Sequence, residues 1–101
     1  SDEVKANFLK LVQLYKDYGR NIGSANKALK VFAQFVEETN NLFTFDQIIE
    51  TVEEYLMSSD PQYTARLDLF IWKPANAYAR KFTIEDSRLY TKCREYANSI
   101  S

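Results

Sequence analysis

Three observations predict an all-α fold, a single compact bundle of four main helices plus one short helix. The 101 residues include only two glycines and two prolines, too few for the many tight turns of a sandwich or barrel. Four segments repeat their apolar residues at the three- and four-residue spacing of a helix face. No segment sustains the period-two alternation of a half-buried strand. The length suits one domain, residues 1–101, and a chain this long can bury one core without staples. It opens Ser1-Asp2 without Met, which is compatible with a piece of a longer protein.

The first helix is expected over 3–18. There Val4, Phe8, Leu11, Val12, Tyr15 and Tyr18 share a face, acidic residues open the segment and Gly19 ends it. A short loop, GRNIGS, follows. Ser24 is placed to cap a second helix over 25–40, with Ala28, Leu29, Phe32, Phe35 and Val36 inward. The third helix has the clearest start. Thr44 and Gln47 form a T-x-x-Q capping box, and Phe43 and Ile48 have the spacing of a hydrophobic staple. Its buried stripe is Phe45, Ile48, Ile49, Val52, Tyr55 and Leu56, with Glu50, Glu53 and Glu54 outward. Asp60-Pro61 reads as a cap followed by proline at the first helical position, so a short helix is expected from there to Phe70 or Ile71. Pro74 ends it and can start another short helical segment to Phe82. Thr83 is then expected to cap the last helix, with Leu89, Cys93, Tyr96, Ala97 and Ile100 inward.

Aromatic residues make up 15% of the chain, which is rich for a small helical domain, so some rings are expected to do more than fill a core. The net charge is only −1, but it is unevenly spread. Residues 1–36 carry six cations and three anions, residues 37–60 seven anions and no cation, and residues 61–101 seven cations and four anions. The acidic block reads either as a solvated helix face or as a protein-binding surface through Glu50, Glu53 and Glu54. The lone Cys93 rules out an internal disulfide and points to a cytoplasmic setting. No apolar run has the roughly 20 residues that a membrane helix needs.

The residues offer no catalytic constellation, cofactor motif or metal site. There is no histidine, which removes the usual general base and the Ser-His and Cys-His pairs. Cys93 has the helical spacing of a small core residue with Leu89 and Ala97. The adjacent pairs Glu37-Glu38 and Glu53-Glu54 point about 100° apart on a helix and do not converge on a substrate.

Binding features remain. The glycine-flanked loop, with Arg20, Ser24 and Lys27 around a helix N-terminus, reads either as a phosphate-binding loop or as an ordinary turn between antiparallel helices. In FIWKPANAYARKF, Trp72, Lys73, Tyr78, Arg80 and Lys81 interleave rings with cations, and Lys92 and Arg94 lie one helix later. Base stacking and phosphate pairing need that mixture. The other reading keeps Phe70, Ile71, Phe82 and Trp72 in the core. An exposed Trp72 would equally serve a protein partner.

The stretch FLKLVQLYKDYGRNIGSANKALKVF, together with FIWKPANAYARK downstream of an acidic helix ending in Tyr-Leu, resembles the small helical domain near the C-terminus of phage replication proteins of the replisome-organiser and helicase-loader type. The resemblance covers roughly residues 7–82. Tyr78 stands where that pattern more often has Trp, and an extra capped helix follows Phe82. The resemblance implies a non-enzymatic adaptor in DNA replication, working in a host cytoplasm. The resemblance transfers no binding residue; the interleaved rings and cations make Lys73, Tyr78, Arg80, Lys81, Lys92 and Arg94 the candidate nucleic-acid-binding residues. The alternative is a protein–protein interaction or oligomerisation module.

Overall fold

The computed structural model of the chain describes residues 1–73 and 83–100. Among the described residues, five α-helices run in the order α1 (Asp2–Asp17), α2 (Ala25–Thr39), α3 (Phe45–Ser58), α4 (Leu67–Ile71) and α5 (Arg88–Ile100). Single 3₁₀ turns lie at Pro61–Tyr63 and Ile84–Asp86. No strand occurs among the described residues. The all-α expectation holds, with α4 as the short helix.

The helix boundaries follow from local chemistry. Past the end of α1, Gly19 adopts φ +66°. Its N–H bonds to Lys16 O and the Arg20 N–H to Tyr15 O, the paired closure of a Schellman motif. Ser24 caps α2 through the Lys27 N–H. Asn40 and Asn41, both at positive φ, end it, a conformation that asparagine tolerates better than most residues. At α3 both halves of the capping box form: Thr44 Oγ1 accepts from Gln47 N at 3.0 Å, and Gln47 Oε1 accepts from Thr44 N at 2.8 Å.

Two expected boundaries shift. Asp60 does cap a proline-initiated turn, but that turn closes after Tyr63 and the chain runs extended until α4. The extended piece has no ladder, so buried tyrosines satisfy its backbone. Tyr15 Oη donates to Ala65 O and Tyr55 Oη accepts from Ala65 N, each at 2.8 Å. A helix through this point would forfeit both bonds. Thr83 only occupies the N-cap position of the second 3₁₀ turn, without a side-chain cap bond; α5 is capped by Ser87, whose Oγ accepts from Tyr90 N. Ser87 is fully buried because the same hydroxyl donates to Ile71 O and ties α5 to α4. The short helical segment expected over 74–82 lies outside the described residues.

α2 packs on α1 and α4, α3 on α1 and α5, and α4 on α5. Every expected stripe contributes to one core: Phe8, Leu11 and Tyr15; Ala28, Phe32 and Phe35; Ile48, Val52, Tyr55 and Leu56; Leu67, Phe70, Ile71 and Trp72; Leu89 and Cys93. The Cα radius of gyration, 12.7 Å, matches the roughly 13 Å of a folded chain this long. Much of the aromatic surplus is core. The Tyr55 and Phe70 rings stack with centroids 4.1 Å apart, and the Arg88 guanidinium lies over both.

Candidate functional site

The loop between α1 and α2 was one candidate anion site. Its anion comes from the chain itself. The Asp68 carboxylate reaches the N-terminus of α2, where Oδ2 accepts from Ser24 N at 3.4 Å. It also accepts from Leu69 N at 2.9 Å and pairs with Arg66 through Nε and Nη2, at 3.1 and 3.2 Å. The loop is held in place because Asn21 O and Ile22 O accept from the backbone of Leu67 and Asp68. Asp68 is 4% exposed, so the position a phosphate would take is filled. Those contacts favour the ordinary-turn reading of Arg20, Ser24 and Lys27 over the phosphate loop. Arg20 turns back to donate to Tyr18 O, Ser24 spends its hydroxyl on the cap, and Lys27 stands exposed in solvent.

Lys27 faces a different feature. A groove of about 400 Å³ lies between α2 and α4, lined by Lys27, Lys30, Val31, Gln34, Arg66, Asp68, Leu69 and Trp72. Helical spacing puts Lys27, Lys30, Val31 and Gln34 on one flank. Val31 and Leu69 are half-buried and provide an apolar floor. Lys27, Lys30 and Arg66 are exposed, and the one acid among the lining residues, Asp68, is already paired with Arg66. Lys73, also exposed, directly follows Trp72. The groove is thus apolar inside and cationic at its edges.

Trp72 takes the core reading. The ring is 1% exposed and its Nε1 donates to Thr83 O at 3.0 Å. It walls the groove from within the core, and a ring this buried is no platform for base stacking. The basic residues of α5 have acidic neighbours. Lys92 pairs with Glu95 at 3.4 Å and shares a recess with Glu54 and Tyr96. The Arg94 guanidinium lies over Tyr90 at 5.6 Å, beside Glu85 and Glu95. Carboxylates border both cations, which lowers the local positive potential that a phosphate backbone requires. Tyr78, Arg80 and Lys81 lie outside the described residues. Glu50, Glu53 and Glu54 are exposed on α3 as expected, with Glu50 accepting from Tyr96 Oη. Cys93 is 2% exposed, and burial pushes its thiol up to about 12 against the pull of a Thr51 hydrogen bond.

Lys30, Arg66, Asp68 and Leu69 escaped the sequence reading. The available signal was RLDLFI, an acid inside an apolar run with an arginine two residues before it, which demands an internal partner once buried. No family model, no curated protein and no solved structure matches the chain.

Proposed function

We propose that this chain is a non-enzymatic adaptor domain that acts by binding, and that the α2–α4 groove takes an acidic, partly apolar surface of a protein. The observation that carries this reading is the groove's composition: Val31 and Leu69 below, the exposed Lys27 and Lys30 at the edge, and Arg66 with its charge matched by Asp68. A phosphate backbone brings charge without apolar surface and would leave the floor uncovered. An amphipathic acidic segment uses both, with apolar anchors buried and carboxylates steered by the rim. Nucleic-acid binding is the second reading, and Lys73 favours it as an exposed cation within the segment that resembles phage replication domains. On that reading the chain is a phage-like adaptor in a DNA transaction.

Trp72 is the only tryptophan and lines the groove, so its emission reports occupancy. A synthetic amphipathic peptide bearing carboxylates should shift that emission at low salt, and the Lys27→Glu/Lys30→Glu variant should lose the response. If single-stranded or duplex DNA shifts it and the peptide does not, with log K falling about 0.9 per phosphate contact per log unit of salt on duplex DNA, the nucleic-acid reading takes the lead. If neither ligand shifts it, the groove holds no anionic partner.

A further inference from the structure

We infer that the groove's partner is a second copy of this chain, which docks through the outer face of α3. The inference rests on the reading of the groove as a site for an acidic protein surface and names that surface. Helical spacing puts Asp46, Glu50, Glu53, Glu54 and Met57 within a roughly 100° arc. All five are exposed. Met57 is 63% exposed, an apolar side chain at the end of a row of carboxylates. They belong to the stretch 37–60, which carries seven anions and no cation. The groove offers the complement, with an apolar floor and the exposed Lys27 and Lys30 along one edge.

The dimensions agree as well. The α2 flank runs from Lys27 to Gln34 and the acidic ridge from Glu50 to Met57, each seven residues along a helix and so about 10 Å long. Laid in the groove, the ridge places Met57 on Val31 and Leu69 and sets its glutamates against the lysines. One copy cannot satisfy itself, because α3 packs on α1 and α5 while the groove lies between α2 and α4. The contact is therefore heterologous, groove to ridge, and each added copy leaves one groove and one ridge open. A single apolar anchor within a charged rim makes a small, salt-sensitive interface of the transient kind.

Sedimentation equilibrium over a roughly hundredfold concentration range tests this directly, since association follows mass action. The wild-type mass should rise with concentration at low salt and return to that of a monomer at high salt. Lys27→Glu/Lys30→Glu, which spoils the groove, and Glu53→Lys/Glu54→Lys, which spoils the ridge, should each stay monomeric. All four side chains are exposed, so both variants should keep the wild-type circular dichroism. Mixed in equal amounts, the groove variant still brings an intact ridge and the ridge variant an intact groove, so association should reappear. Wild type that stays monomeric at every concentration, or a ridge variant that associates as well as wild type, overturns the inference. If the wild type is monomeric while the acidic peptide still shifts Trp72 emission, the self-association falls and the reading of the groove stands. If neither occurs, both fall.

Discussion

At the scale of single residues, Gly23 and Asp68 set the geometry around the groove. A Cβ on Gly23 would lie 2.3 Å from Asp68 Oδ1, and the residue sits at φ +69°. Gly19 has nearly the same φ, +66°, but nothing within 4 Å of its Cβ position. The pair separates two effects that usually travel together. Gly19→Ala should cost only the left-handed strain, about 1 kcal/mol. Gly23→Ala should cost about 2–4 kcal/mol, because it also drives the carboxylate from the α2 N-terminus and leaves Arg66 and a buried acid mismatched. Equal urea midpoints for the two variants would show that Asp68 is free to move aside. Lys27 adds a contrast of its own. It occupies the first turn of α2, which contains no acidic residue and where the helix dipole disfavours a cation by roughly 0.3–1 kcal/mol. Asp68 supplies the missing negative charge from outside the helix. Lys27→Glu would complete a capping box with Ser24, so that substitution should leave the melt unchanged or raise it.

At the scale of the elements, the caps show what the sequence made legible and where it misled. Ser24 and Thr44 were readable because each lies at the abrupt start of an apolar stripe, and local bonds alone decide such starts. The α5 cap was misplaced because Thr83 and Ser87 are equally good capping residues four positions apart. What decides between them is a tertiary bond, Ser87 Oγ to Ile71 O, which no local pattern reveals. The helix expected from Pro61 failed for the same reason: Tyr15 and Tyr55, 50 and 10 residues from Ala65 in the chain, hold that residue extended. Ser87→Ala should therefore cost about 2–3 kcal/mol, combining a lost cap with an orphaned buried carbonyl. Thr44→Ala should cost about 1 kcal/mol. Thr83→Ala should cost about 0.5 kcal/mol or less, since its hydroxyl meets only Asp86 on an exposed turn. Chemical denaturation of the three variants orders them, and a Thr83 variant weaker than the Ser87 variant would reverse the assignment of the cap. The groove was the least legible feature. Its cations come from α2 and from the approach to α4, and only the packing of those helices makes Lys27, Lys30 and Arg66 neighbours.

At the scale of the whole molecule, the core contains two ionisable groups whose burial links folding to alkaline pH. Cys93 is raised from an ordinary 9.0 to about 12, chiefly by burial. Tyr15 is raised above its ordinary 10.0, first by burial and then by Tyr55, and its hydroxyl donates to Ala65 O. Both groups stay protonated in the folded chain at a pH where the unfolded chain has released the proton. The folded state then binds more protons than the unfolded one, so stability falls as pH rises. Below about pH 8 both states hold both protons and neither group contributes a slope. From about pH 9 the thiol alone should remove about 1.4 kcal/mol per pH unit, and above about pH 10 the phenol should add a similar slope. The thiol's contribution should level off near pH 12, where Cys93 ionises in the folded state as well. Urea unfolding at half-unit steps from about pH 8 to about pH 11 reads this directly. Cys93→Ser should flatten the profile between about pH 9 and 10, whatever its fixed cost in packing, and leave the steeper limb above about pH 10 in place. A wild-type profile that stays flat between about pH 9 and 10 but still steepens above about pH 10 would mean that α5 opens to expose the thiol well below the global unfolding transition, and α5 would then be separable from a core that Tyr15 still anchors.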